Sequence, residues 1–206
     1  HGRIAVSQPA YTFINRYLPG QYTIIPNGIR VGDFSGAEPF PELRDGKVNL
    51  LFLGRMEKRK GLKYLLAAYS RLKWDWPNLR LLVVGPGKPD DESYRIMSER
   101  GLEDVIFLGD VSEADKVRYY KTADICCLPA TGGESFGIVL LEAMAVGAPC
   151  VASISAGNAA HLLDDGRYGR LVDPGDAPAM AIAMAQQLDR ETRLYPGDRI
   201  DAFGMD

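Results

Sequence analysis

Two cations and two carboxylates in this 206-residue chain stand where residue type and spacing suggest chemistry. Arg55 and Lys60 lie in Gly54-Arg55-Met56-Glu57-Lys58-Arg59-Lys60-Gly61, between an apolar run and a helical pattern. Cations beside a helix N-terminus suit a diphosphate, because fixed charge and free N–H groups both favour anions. Lys58-Arg59-Lys60 also reads as a solvated charge run, and these residues alone leave both uses open. Glu134 lies in Gly132-Gly133-Glu134-Ser135-Phe136-Gly137-Ile138, where the two glycines permit a sharp turn and Ser135 is expected to cap the helix that follows. The first N–H groups of that helix would then face a phosphate or a sugar oxygen. Glu142 is the only charge among Ile138, Val139, Leu140, Leu141, Ala143, Met144, Ala145 and Val146. A helix apolar nearly all round is buried, so this carboxylate needs a partner or a polar cleft. Hydroxyl-rich ligands would suit both glutamates; a surface Glu134 and a Glu142 paired to a structural Arg is the other reading.

Other chemistries lose their support. Gly85-Pro86-Gly87 follows an apolar run, but Asp90 breaks the Gly-x-Gly-x-x-Gly pattern, and no Gly-x-x-x-x-Gly-Lys-Ser/Thr occurs. A nicotinamide enzyme and a P-loop ATPase are therefore disfavoured. Cys126, Cys127 and Cys150 show no metal-ligand spacing and read as buried reduced thiols of a cytosolic protein. With His1 and His161 the only histidines, no His-rich metal site is expected. Lys plus Arg number 24 and Asp plus Glu 27, so the net charge of 24 − 27 = −3 argues against nucleic acid as a partner. No apolar run approaches the roughly 20 residues needed to span a bilayer. Hydrophobic residues at 46% and charged ones at 25% are the balance of a globular chain with a normal core. It begins His1-Gly2-Arg3 without an initiator Met, which suggests a piece of something longer.

The elements that must position these residues are legible from the apolar pattern. Strands are expected at Val48–Leu53, Leu79–Val84, Val105–Leu108, Asp124–Leu128, Pro149–Ser153 and Arg170–Val172. Helices are expected at Lys60–Leu72, Asp91–Arg100, Glu113–Thr122, Phe136–Val146, Asn158–Asp164 and Ala177–Leu188. Continuous apolar strands joined by helical crossovers indicate a parallel sheet covered on both faces, the doubly wound α/β class. In such sheets ligands bind beyond the carboxyl ends of the strands, where the residues named above fall. Residues 1–47 look different, with a strand at Ile4–Ser7, a helix at Pro9–Leu18, a second extended piece at Tyr22–Pro26 and a Pro/Gly-rich link. Three parts follow: 1–47 as the end of a preceding domain and its linker, 48–190 as the Rossmann-like domain, and 191–206 as a loosely held tail.

The ordered set Gly54-Arg55…Lys60-Gly61, Val84-Gly85-Pro86-Gly87, Val105-Ile106-Phe107-Leu108-Gly109 and Glu134-x7-Glu142 resembles the family 4 glycosyltransferases of GT-B fold. Gly-Gly-Glu-Ser-Phe-Gly-Ile-Val-Leu at 132–140 is most similar to the bacterial phosphatidylinositol mannosyltransferases among them. The resemblance covers about residues 1–190 and matches the C-terminal, donor-binding domain. It implies that Arg55 and Lys60 contact the donor diphosphate and that Glu134 contacts hydroxyls of the transferred sugar. Ser135, Phe136, Gly137 and Ile138 would surround that sugar, the last three through backbone N–H groups. Glu142 would contact the ribose, Gly54 and Gly85 would line the site, and Val111, Glu113 and Lys116 would lie around the base. Ser112 and Asp115 also make a capping box, the purely structural use of that segment. His161 stands where many relatives carry a Glu, and reads as a helix-surface or capping residue.

The resemblance further implies a retaining hexosyltransferase with no cofactor and no metal, its leaving diphosphate stabilised by the two cations. The expected donor is GDP-mannose, with a UDP-sugar as the alternative and a non-catalytic nucleotide-binding module as the reading from another class. A response-regulator-like switch fails for want of clustered acidic residues after the first strand. The remaining expected partners are an N-terminal GT-B domain, without which the chain is inactive, and an acceptor of lipid or glycan type. Cytoplasmic location is expected, with any membrane contact made through that other domain.

Overall fold

A computed structural model describes residues 2–204. Its elements in chain order are β1 (Ile4–Ala5), α1 (Gln8–Asn15), β2 (Thr23–Ile24), β3 (Val48–Leu53), α2 (Leu62–Asp75), β4 (Leu79–Val84), α3 (Asp91–Glu99), β5 (Val105–Gly109) and α4 (Glu113–Thr122). They continue with β6 (Ile125–Leu128), α5 (Ile138–Ala145), β7 (Cys150–Ser153), α6 (Ala159–Leu162), β8 (Arg170–Val172) and α7 (Ala177–Leu188). Strands β3 to β8 form one six-stranded sheet, all parallel, in the order β5-β4-β3-β6-β7-β8.

The near-continuous apolar runs of β3, β4, β6 and β7 are explained by burial on both faces, whereas the edge strand β5 leaves Ile106 and Phe107 exposed. Successive residues point to opposite sides, so Leu51, Leu82, Val84, Cys126, Leu128 and Ala152 enter one core while Leu50, Phe52, Leu81, Val83, Ile125 and Val151 enter the other. Helices α4, α5 and α6 cover the first core, and α2 and α7 cover the second. All three cysteines are unpaired and buried. Burial pushes their thiols up, Cys150 to about 12.

Chain order reverses direction between β3 and β6, the two central strands. Crossovers leave β3 toward one edge and β6 toward the other. The loops at their carboxyl ends therefore flank a crevice that neither crossover covers. The residues after β3 and those after β6 thus meet at the centre of the molecule.

The two flanking segments are better fastened than their patterns suggest. Within 1–47, β1 and β2 pair in a separate parallel two-stranded sheet. Further on, Ile29 and Phe34 are buried in the first core, and the Phe40 ring packs on Tyr119 at 4.5 Å. The tail expected to be loose instead docks: Gly197–Phe203 forms a 3₁₀ turn whose Ile200 and Phe203 are buried in the core beside α5. The reason is geometric. Side chains three apart eclipse in a 3₁₀ turn, so two apolar residues suffice to dock it, with no helical periodicity to betray it.

Candidate functional site

Strand β3 is followed by Gly54, and the chain then turns through Arg55 to a 3₁₀ turn at Lys58–Lys60 before α2 starts. The β4 loop presses against this turn. Met56 N–H donates to Pro86 O at 3.0 Å, and a Cβ on Gly85, which has φ +134°, would lie 2.1 Å from Gly54 O. Only glycine fits there, which explains Gly54 and Gly85 as a packed pair at adjacent strand ends. Across the crevice, Pro129–Gly137 follows β6. Its backbone is tied to the β3 loop by Thr131 N–H donating to Arg59 O at 2.8 Å. Ser153, the last residue of β7, and Ser155, just beyond it, both donate to Ala130 O, at 2.5 and 2.7 Å.

This architecture brings Lys60 and Glu134 together. The Lys60 ammonium donates to Glu134 Oε2, and the two side chains are only 17% and 21% exposed. The carbon stem of Lys60 passes over Gly54, 3.7 Å from where a Cβ would stand. Arg55 is not drawn in: its side chain is 73% exposed and pairs with Glu57, at 3.5 Å. Arg59 bridges the loops instead. Its Nε donates to Glu57 at 2.7 Å, its Nη1 donates to Gly133 O at 2.8 Å, and Nη1 lies 3.9 Å from Glu134. The Lys58–Lys60 run is therefore divided, with Lys58 and Arg59 at the surface and Lys60 mostly covered.

The start of α5 departs from the expected cap. Its N-cap is Gly137 in the left-handed region at φ +91°, with no side-chain cap. Ser135 lies two residues outside, exposed, with its carbonyl accepting from Ser7 Oγ at 2.5 Å. The chain enters α5 beside Ala156, whose oxygen would lie 3.0 Å from a Cβ on Gly137, so only a glycine makes the turn readily. Phe136 is buried in the core, leaving its backbone as the part that a ligand can meet. The first amides of α5, those of Ile138 and its neighbours, have no intrahelical acceptor, as at any helix start.

Glu142, 8% exposed, lies one turn into α5 and has both oxygens engaged. Lys116 donates to Oε1 at 2.9 Å and Tyr120 to Oε2 at 2.7 Å. Its partner is thus not an Arg but a lysine and a phenol from α4. Lys116 also pairs with Glu113 at 2.5 Å. Burial alone would lower the Lys116 pKa, but hydrogen bonds to Glu113 and Glu142 outweigh it and hold the ammonium above the ordinary lysine value. Val111 packs partly buried on the core just before α4, whose N-cap Ser112 accepts from Asp115 N–H at 3.0 Å. His161 is exposed on α6 with its ring edge-on to Phe203 at 5.8 Å.

The structure thus assembles two charged groups, Lys60–Glu134–Arg59 at the strand ends and Lys116–Glu142–Tyr120 between α4 and α5. Neither Arg59, read from the sequence only as part of a solvated charge run, nor Tyr120 is among the candidate site residues. Tyr120 carried a signal, four residues after Lys116 and hence on the same helix face. Arg59 carried none beyond its place in a basic run. Among the described residues no group of three or more His, Cys, Asp or Glu is placed to hold a metal ion. None of their helices is long and apolar enough to cross a membrane.

Comparison with known proteins gives consistent matches. Residues 47–190 match the family model described as glycosyl transferases group 1. The phosphatidyl-myo-inositol mannosyltransferase of Mycobacterium leprae is 42% identical over 191 residues, 91% of this chain and 50% of that protein. The chain spans about half the length of the curated relatives it matches. Among solved structures, sucrose-phosphate synthase from Thermosynechococcus elongatus superposes with a TM-score of 0.80 at 28% identity, over 97% of this chain and 53% of that one. Anabaena HepE, solved with UDP-glucose, shares the fold at a TM-score of 0.81 and 24% identity, over 98% of this chain and 59% of that one.

Proposed function

We propose, because this chain belongs to the group 1 glycosyl transferases, that it is the donor-binding half of a retaining mannosyltransferase using GDP-mannose. The observation that carries the reading is the Lys60–Glu134 pair, drawn from loops 74 residues apart to the one crevice where a sheet of this order accepts ligands. The likeness to mannosyltransferases over nine-tenths of the chain supports the choice of sugar.

In this reading the donor diphosphate takes the Lys60 ammonium from Glu134, and exposed Arg55 folds onto it from solvent. As the bond from the anomeric carbon to the phosphate oxygen breaks, negative charge builds on the diphosphate. The two cations and the first amides of α5 stabilise it electrostatically, which is the main catalytic contribution of this half. Glu134, released from Lys60, accepts hydrogen bonds from the sugar hydroxyls. Glu142 accepts from the ribose, with Gly54 and Gly85 under the phosphates and Val111, Glu113 and Lys116 around the base. Transfer requires an acceptor held against the anomeric carbon, and such positioning supplies about 7–11 kcal/mol of barrier lowering. That surface, for a lipid or glycan acceptor, belongs to the other half of a GT-B enzyme, at the cytoplasmic face of the membrane, so this half alone binds donor without turnover.

Calorimetric titration with GDP, UDP and ADP tests the reading. GDP is expected to bind most tightly. Loss of a charge-assisted hydrogen bond costs about 1.5–3 kcal/mol, so Arg55→Ala or Lys60→Ala should weaken GDP roughly ten- to a hundredfold. Arg55→Ala should leave thermal stability unchanged. Unaltered nucleotide affinity in both variants refutes the assignment.

A further inference from the structure

Tyr120 is among the largest fully buried side chains of the protein, and its one polar atom is spent on a carboxylate. Burial of a phenol does not require this. Tyr69, equally buried, satisfies its hydroxyl on the Leu79 and Glu103 carbonyl oxygens, at 3.1 and 2.9 Å. Tyr120 instead donates to Glu142 Oε2, while Lys116, one turn earlier on α4, donates to Oε1. Residues four apart lie on one helix face, so α4 grips the carboxylate at both oxygens and leaves it no rotation. Burial, and then the Glu142 charge, push the Tyr120 phenol well above its ordinary value. It therefore remains a donor throughout the physiological range.

A carboxylate offers about four lone-pair sites. With one taken on each oxygen by α4, one remains on each, a pair of acceptors fixed in direction. Two adjacent hydroxyls, as on ribose, match such a pair; a ring lacking them leaves two lone pairs of a mostly buried charge unmet. Sites built to hydrogen-bond a hydroxyl reject the analogue that lacks it.

We propose that Tyr120 is a positioning residue that, through Glu142, sets the preference of this site for a ribose over a deoxyribose nucleotide. The inference rests on the ribose reading of Glu142 given above and extends it to a residue that does not touch the ligand.

The test measures the affinity of the chain for GDP and UDP and for their 2′,3′-dideoxy forms, in the wild type and in Tyr120→Phe. The wild type should prefer the ribose form by roughly tenfold or more, the cost of a polar group left unmatched. Tyr120→Phe should cut that preference at least threefold and leave the dideoxy nucleotide within twofold of its wild-type affinity. A merely structural tyrosine would weaken both forms alike, and a preserved preference overturns the proposal. No preference in the wild type overturns the ribose reading of Glu142 itself, and no nucleotide binding at all overturns the donor site with it. Should Tyr120→Phe fail to fold, Tyr120→Met, flexible enough to fill the same volume without a hydroxyl, carries the same comparison.

Discussion

Replacing Glu134 by Gln keeps the shape of the side chain and removes its charge, which separates two roles of one carboxylate. In the structure that carboxylate holds the Lys60 ammonium, with Arg59 3.9 Å away. If a diphosphate has to take Lys60 from Glu134, the free energy of the pair is subtracted from the binding of every diphosphate. The pair is mostly covered, so its value lies at the upper end for ion pairs near a surface, about 1 kcal/mol. That corresponds to about a fivefold change in affinity. Glu134→Gln should therefore bind GDP about fivefold more tightly than the wild type. GDP-mannose shares this gain but loses charge-assisted hydrogen bonds to its sugar, at about 1.5–3 kcal/mol. Its net affinity should fall by roughly two- to thirtyfold, so the two ligands move in opposite directions. Isothermal titration of both against both proteins reads the outcome directly. Equal or weaker GDP binding by Glu134→Gln would show that the diphosphate does not displace Glu134 from Lys60. Parallel changes for GDP and GDP-mannose would show that Glu134 makes no sugar contact.

Gly85→Ala places a Cβ 2.1 Å from Gly54 O at φ +134°, whereas Gly46→Ala, at φ +88°, meets nothing within 4 Å. The first should lose roughly 2–5 kcal/mol in urea unfolding and the second about 1–2; equal losses would contradict the close packing of the β3 and β4 loops. Hydrogen bonds from Lys47 and then Lys73 hold the Asp104 carboxyl below its ordinary value. A lowered folded-state pKa contributes stability above the unfolded value near 3.9, and that stability is lost as pH falls through the folded value. Asp104→Asn, which tolerates the native φ of +61°, should cost about 1–2 kcal/mol at pH 7, and the gap should close in acid. A gap unchanged between pH 7 and pH 3 would contradict this.

Much of the fold was legible along the chain. Val48–Leu53, Leu79–Val84 and Arg170–Val172 have the expected bounds, because a mostly apolar run marks a strand covered by other elements, and the polar residues buried within the first two, Asn49 and Arg80, hydrogen-bond each other. Helices Glu113–Thr122 and Ala177–Leu188 are framed by Ser112 and Asp176, whose side chains accept from the first-turn amides Asp115 N–H and Ala179 N–H. These are local signals, each carried within a few residues. Candidate residues at strand ends were legible for the same reason, since the end of an apolar run marks where side chains meet solvent. The features missed depend on what lies nearby in space. Ser135 is a good capping residue by type, but the close approach of Ala156 O moves the start of α5 to Gly137. Ile200 and Phe203 have no periodicity to report, and only the surface of α5 makes them a docked turn. Arg59 looks like one of three lysine-arginine neighbours until the loop after β6 supplies Gly133 O. Sequence by itself determined the class of sheet, the succession of strands and helices with some of their bounds, and a set of charged residues at strand ends. Which of those charges share a site was decided by strand order, because only with β6 beside β3 do Lys60 and Glu134, 74 residues apart, face one another. Long-range pairing of that kind follows from how crossovers pack on the sheet, and no stretch of the chain encodes it alone.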